Sequence, residues 1–502
     1  MMRAAVRSIV PAAALLLASP LLAQEPELPA GLGGEEPSAQ QPSGQQPSGQ
    51  EPGEPSLPSG LGGDEPKPQQ PDGPQLPTGL GDAPEPPTDT EDVDDTPPLP
   101  WRITGFFDVR AGVRTQRDAY ERDASLGEAR LRLEAERNFE PFFVRLRADL
   151  IGDALARSQT VDLETGDGFV DLREASVATS PLPWMDVKVG RQVLTWGTGD
   201  LLFINDLFPK DWVAFFVGRD TEYLKAPSDA LRVGMFSDLG NLEVVYTPRF
   251  DSDRFVSGER VSYYNPLLMR TAGRDARQNP DVPDDWFDDS ETSLRLSQNV
   301  AGFELAAYGY FGRWKSPGGF DPMTLQVTFP RLNVYGASAR TQLAGGVANV
   351  ELGYYDSRSD RGGDDPTIEN SQVRALVGFE RDLPEVADAF TVGAQYYVEH
   401  ILQHDDFLRT LQPGQQRRDE LRHVVTLRVT KLLWQQRLRL SLFGYVSPND
   451  HDAYLRPNAS YTIDDVWSLS VGGNVFLGED NDTFFGQFED NSNVYVALRA
   501  SF

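Results

Sequence analysis

Phe142-Phe143-Val144-Arg145-Leu146-Arg147-Ala148-Asp149-Leu150 alternates along its length: Phe142, Val144, Leu146, Ala148 and Leu150 share one face, while Arg145, Arg147 and Asp149 take the other. Successive side chains of a strand point to opposite faces, so a period of two describes a ribbon with one apolar and one wet side. The pattern recurs before and after. Leu131, Leu133 and Ala135 alternate with Arg130, Arg132, Glu134 and Glu136, and Leu421, Val425, Leu427 and Val429 oppose Arg422, Thr426 and Arg428. A soluble sandwich carries the same alternation, so the pattern alone leaves two architectures open.

Connection lengths separate them. Beyond Trp101 the alternation predicts strands at 102–116, 124–138, 141–154, 169–180, 184–196, 228–238, 240–250, 290–300, 301–314, 329–344, 345–357, 370–382, 388–402, 419–433, 435–448, 453–463, 464–478 and 490–502. That is about eighteen, with sixteen to twenty compatible with these boundaries. Tight connections such as Asn138-Phe139-Glu140, Pro181-Leu182-Pro183, Leu239-Gly240 and Trp434 alternate with long ones such as 155–168, 197–227, 251–289 and 403–418. Short turns at one end and long loops at the other are the asymmetry of an outer-membrane barrel, which also needs an even strand number. In hydrocarbon every backbone N–H and C=O requires an internal partner, so the sheet must close, its first strand on its last. The expected fold is therefore all-β, a transmembrane antiparallel up-and-down barrel of about 18 strands.

Composition agrees. The 502 residues contain no cysteine, which removes disulfides, thiolate metal sites and cysteine nucleophiles together. The 76 acidic and 46 basic side chains give a net charge of −30, unsuited to a nucleic-acid partner. A mean hydropathy of −0.42 excludes a bundle of apolar helices but not a barrel, whose strands are only half apolar.

The first hundred residues read differently. Arg3 and Arg7, the apolar stretch Ile9 to Leu22 and the small Ala23 form a secretory signal over 1–23. Residues 24–100 hold half of the 38 prolines and a single basic residue, Lys67. Such a segment buries too little apolar surface to offset its ordering entropy, and reads as a disordered periplasmic linker before the barrel at 101–502. Leu28-Pro29-Ala30-Gly31-Leu32-Gly33 recurs as Leu57 to Gly62 and Leu76 to Gly81, either a repeated motif for a periplasmic partner or a duplicated spacer. At the other end Val494, Val496, Leu498, Ala500 and Phe502 alternate to an aromatic terminus. This resembles the signal that the barrel-assembly machinery reads. Trp101, Trp184, Trp434 and Trp467 fall at the short-turn, periplasmic ends, where an interfacial aromatic girdle meets outer-membrane lipid.

The segment Asp171-Leu172-Arg173-Glu174-Ala175, Gly190-Arg191-Gln192 through Trp196-Gly197-Thr198-Gly199-Asp200, and Asn205 to Asp211 resembles a proteobacterial porin-like family of unknown function, and looks similar to alginate-export barrels. The resemblance spans about residues 128–211 and implies an 18-strand channel without naming a solute. From the residues themselves, the third long loop combines glycine turns with Asp200, Asn205, Asp206, Lys210 and Asp211 and the apolar run Trp212-Val213-Ala214-Phe215-Phe216. So aromatic a loop is expected to fold inward, either narrowing a pore or capping the barrel mouth.

The lumen wall is the second candidate. Phasing points Arg110, Arg114, Arg130, Arg132, Arg145 and Arg147 inward, with Arg191, and Arg422, Arg428, Arg437, Arg439 and Arg499 near the C-terminus. They form either an anion path of fixed charge or Arg–Glu ladders with Glu128, Glu134 and Glu136. Acidic external loops at Asp284–Asp289, Asp360–Asp365, Asp405-Asp406 and Glu479–Asp482 offer carboxylates to divalent cations that bridge lipopolysaccharide phosphates, but lack a calcium-loop spacing and read rather as solvated charge. With four histidines (His400, His404, His423, His451) and no phosphate-binding or metalloprotease motif, neither an enzyme, a metal nor a cofactor is expected. The expected function is passage of small hydrophilic, even anionic, solutes. The rivals are an export pore for an acidic polysaccharide and a non-conducting barrel that tethers the envelope.

Overall fold

The computed structural model describes residues 101–156 and 160–502; the expected secretory signal at 1–23 and the expected linker at 24–100 lie outside the described residues. Eighteen strands form one sheet. They are β1 (Arg102–Arg114), β2 (Ala124–Phe139), β3 (Phe142–Asp153), β4 (Val170–Leu182), β5 (Met185–Val193) and β6 (Pro227–Ser237). Then come β7 (Gly240–Thr247), β8 (Glu291–Val300), β9 (Phe303–Arg313), β10 (Arg331–Leu343), β11 (Gly346–Ser357) and β12 (Gln372–Asp382). The last six are β13 (Phe390–Ile401), β14 (Leu421–Leu433), β15 (Leu438–Ser447), β16 (Asp452–Thr462), β17 (Trp467–Gly478) and β18 (Asn493–Ser501). Each strand pairs antiparallel with the next, and β1 pairs with β18 from Phe106–Ser501 to Arg114–Asn493, so the sheet closes.

Every expected strand is present, displaced by at most a few residues. β7 stops before Pro248, which has no N–H to give the ladder. β15 begins at Leu438 because Trp434, Gln435 and Gln436 all take positive φ in the preceding turn. The turn is therefore longer than Trp434 alone, and Arg437 lies within it rather than on the lumen wall. Its guanidinium is exposed and bonds the carbonyl of Thr462 at 3.1 Å. Two three-residue hairpins, Tyr263–Asn265 with Arg270–Ala272 and Gly319–Asp321 with Gln326–Thr328, sit within loops and are too short to show a period.

The alternation sorts the two faces. On β1, Ile103, Phe107, Val109 and Val113 are exposed on the outside, while Asp108, Arg110 and Arg114 are buried within. Leu133, Leu146, Leu150, Val350, Leu352, Leu427 and Val496 extend the apolar exterior around the barrel. A belt of this kind, on a sheet with no free edge, is matched to hydrocarbon. Inside, the lumen holds a second apolar cluster: Phe215 and Phe216 from the third long loop pack on Tyr445, Tyr454, Phe476 and Phe488. Tyr454 stacks on Phe476 with centroids 4.3 Å apart, and Phe216 meets Phe488 at 4.9 Å. A barrel of this width cannot be filled by strand side chains alone, so the loop supplies the filling.

Candidate functional site

The third long loop leaves β5 and crosses to the opposite wall. Gly197, at φ 85°, lies against the carboxylate of Glu351 on β11. That carboxylate accepts from the backbone N–H of Thr198, from Gly199 N at 2.7 Å and from Asn205 Nδ2 at 3.0 Å. Gln395 on β13 clasps Asp200, accepting from its N–H and donating to its carbonyl, both at 2.8 Å. Arg428 on β14 grips the Asp200 carboxylate, with Nη2 2.6 Å from Oδ1. Tyr355 and Tyr445 donate to the carbonyls of Ile204 and Leu201 at 2.5 and 2.8 Å. The loop's own backbone thus finds its hydrogen bonds on the far wall, as buried backbone must.

The chain then turns back through a short helix, α1 (Trp212–Val217), capped by Asp211, whose carboxylate accepts from Ala214 N at 2.7 Å. Gly218, at φ 93°, ends it where Tyr495 leaves no room for a Cβ. Beyond it the loop binds the near wall. Arg110 reaches the Gly218 carbonyl at 3.1 Å and the Asp220 carboxylate at 2.6 Å, and Arg132 reaches Glu222 at 2.7 Å. Tyr223 donates to Asp149 at 2.9 Å, and Arg173 donates to the Lys225 carbonyl at 2.5 Å. Burial alone raises the pKa of Asp220, but Arg110 and Arg499 outweigh it and hold it at about 2. Burial pushes the Tyr223 phenol up, so it stays a donor.

The five loop residues singled out in the sequence come together here, each with a partner. Asp200 meets Arg428 and Asn205 meets Glu351; Lys210 lies 3.0 Å from Asp206 and donates to the Phe208 carbonyl at 2.7 Å, and Asp211 faces Arg254 at 3.4 Å. All but Asp200 are buried. Sequence reasoning missed the brace beneath them. Asp253, in the next loop, accepts from Lys210 N at 2.7 Å and Trp212 Nε1 at 3.1 Å, and Arg254 pairs with Asp171 at 2.9 Å. It also missed Glu351, legible only as a lone acid between Val350 and Leu352 on an alternating strand.

The arginine wall resolves into ion pairs. Arg130 and Arg132 share Asp149 at 2.7 and 2.8 Å. Arg145 pairs with Glu136 at 2.5 Å and Arg147 with Glu134 at 3.0 Å, across the β2–β3 register. Arg191 pairs with Asp229 at 2.6 Å, and Arg422 with Asp450 at 2.7 Å. Arg499 shares Asp108 and Asp220 with Arg110. Of the two readings of these arginines, the ladder describes most of the wall. Three arginines differ, having no carboxylate partner among the described residues: Arg114 donates to the carbonyls of Ala124 and Arg260 and to Asn491, while Arg439 and Arg456 lack even that, Arg456 lying over the Phe215 ring at 3.9 Å. Arg439 lies on β15 and Arg456 on β16, which pair with each other, so this unneutralised charge sits on adjacent strands.

The family-like segment has structural work here. Gly190, at φ 115°, packs so closely on the Ala175 carbonyl of β4 that no Cβ fits, and buried Gln192 donates to the Ala230 carbonyl at 3.0 Å. In the acidic loops, Asp360 accepts from the N–H groups of Gly363 and Asp365 at 3.0 and 2.9 Å. Among the described residues, no three His, Asp or Glu side chains converge as metal ligands.

No known protein family matches the chain, nor does any curated protein. Among solved structures it is similar to OccAB3 of Acinetobacter baumannii, with 12% identity over 80% of this chain and 99% of that one and a TM-score of 0.47. OccAB1 of the same organism is similar with 9% identity over 80% and 96% and a TM-score of 0.48. OccK11 (OpdR) of Pseudomonas aeruginosa has 10% identity over 80% and 95%, with a TM-score of 0.45. In its own right the chain is a closed 18-stranded barrel, apolar outside and charged within, with a long loop turned into its lumen: a porin-type architecture.

Proposed function

We propose that this chain is an outer-membrane channel through which small water-soluble solutes pass between the loop at 197–227 and the barrel wall. The observation that carries this reading is the loop's anchorage to both sides of the lumen, through Asp200 to Arg428 and through Asp220 to Arg110. A segment tied across a lumen at both ends narrows it without sealing it, since solutes go around it. Asp200, Asn205, Asp206, Lys210 and Asp211 act as its fasteners. Arg439 and Arg456, as uncompensated fixed charge, support a mild preference for anions. The pairing of the other arginines speaks against an export path for an acidic polysaccharide, which needs a continuous basic track.

Planar-bilayer recording of the refolded chain tests this. Discrete, weakly anion-preferring channels are expected, and deletion of 198–211 should raise their conductance. Unchanged conductance in the deletion would refute the constriction, and a silent bilayer would favour the non-conducting, envelope-tethering reading.

A further inference from the structure

On the long-loop side of the inward loop lies a cavity of about 510 Å³, within the range that encloses one small organic molecule. Thirteen of its 37 lining residues are Phe, Tyr or Trp, against 10% of the chain. Phe203 and Trp212 contribute from the loop, Tyr445 from β15, and Trp314 with Tyr355 from the side, the last two stacked at 5.8 Å and 28°.

Every cation around it has an acid. Arg374 lies 3.3 Å from Glu399, Arg418 2.5 Å from Glu369 and Arg422 2.7 Å from Asp450. Lys315 bonds Glu291 at 2.6 Å, and Lys210 pairs with Asp206. No cation there is left over for a carboxylate ligand; of the two acids without a basic partner, Asp253 is already taken up by Lys210 N, Trp212 Nε1 and Ser316 Oγ, and Asp419 is exposed and accepts from Asn449. What remains unsatisfied is a donor. Trp314 is 8% exposed, and its indole N–H has no acceptor in the protein. Arg422 Nη2, on the same lining, also lacks a hydrogen-bond acceptor. Buried donors are nearly always paired, so an orphan on a cavity wall marks where a bound molecule supplies the acceptor.

We infer that this cavity is a binding site for an uncharged planar aromatic solute bearing a carbonyl or hydroxyl oxygen, its ring against the aromatic lining and its oxygen accepting from Trp314. It deepens the channel reading, and rests on it for calling the bound molecule a passenger; binding itself does not depend on conduction.

Coumarin, a neutral two-ring aromatic with a ring carbonyl, serves as the probe, with benzoate and glucose as comparators. Each is titrated calorimetrically into the full chain in detergent, with empty micelles as the blank. Saturable coumarin binding is expected, at least tenfold tighter than benzoate and with none for glucose. Trp314→Phe keeps the ring but removes the donor, and should weaken coumarin about fivefold, the worth of one hydrogen bond of about 1 kcal/mol. Trp434→Phe, in the distant turn, should change nothing. Circular dichroism shows whether each variant keeps its sheet; should Trp314→Phe lose it, Phe203→Leu, which removes a ring from the floor, takes its place with the same expectation. Absent saturation, equal benzoate affinity, or variants that keep both fold and affinity would overturn the inference. Coumarin binding by a chain silent in bilayers would uphold the site and sink the channel; conduction without binding would do the reverse.

Discussion

Asp200 and Arg428 stand 228 positions apart in the chain, yet Nη2 of the guanidinium lies 2.6 Å from Oδ1 of the carboxylate, joining the start of the inward loop to the wall opposite its origin. A two-pronged contact of this kind fixes direction as well as distance. Asp200→Asn or Arg428→Gln should free this end, raising mean single-channel conductance and adding gating noise. The exchanged pair Asp200→Arg with Arg428→Asp should recover part of the quiet, smaller current. A recording in which neither single change alters current or noise would mean the pair is not what holds the loop.

Glu351 holds the same end more deeply. Glu351→Ala strands three donors, at Thr198, Gly199 and Asn205. Each orphan costs about 1–3 kcal/mol, so the loop should detach while the sheet persists. Limited proteolysis should then cut within 197–211 in a barrel whose circular dichroism is unchanged, whereas Glu351→Gln should stay closer to the parent.

Charge preference depends on few residues. If Arg439 and Arg456 supply it, Arg439→Gln with Arg456→Gln should move the reversal potential in a salt gradient from the anion side towards zero. The same exchange at Arg145 and Arg147, already balanced by Glu136 and Glu134, should leave it almost where it was.

Acidity should tighten the bracing loop. Burial raises Asp251 from 3.8 to about 7, only partly offset by Lys315 and reinforced by Glu291, Glu164 and Asp229. The folded loop thus holds this proton more firmly than the unfolded chain does. The associated stability is fully present below the unfolded value and is lost as pH rises through about 7. Hydrogen exchange across 248–262 should be slower at pH 5 than at pH 8, and Asp251→Asn should remove that difference.

The strands were legible because alternation is a local property: Phe142 to Leu150 states its two faces without reference to anything else. The partners inside the lumen were not. That Arg130 and Arg132 point inward follows from phase, but that both converge on Asp149 depends on the β2–β3 register, and the link from Arg132 to Glu222 on the path of a loop 90 residues away. The aromatic run Trp212 to Phe216 announced an inward turn, whereas the tyrosines that receive it, Tyr445 and Tyr454, looked like any wall residues. Arg437 failed for a simpler reason: three successive positive-φ residues lengthened a turn that the sequence made look like one residue.

The loop's far contacts also constrain how the molecule is made. Glu351, Tyr454 and Asn493 lie about 150 to 280 residues downstream of the segments they bind, so none has been synthesised when the loop leaves the ribosome. Distant contacts of this sort form late, because their closure entropy must be met first. The crossing segment must therefore seat while, or after, the last staves are drawn in, and a chain truncated before β18 should reach the bilayer, if at all, with that segment unseated.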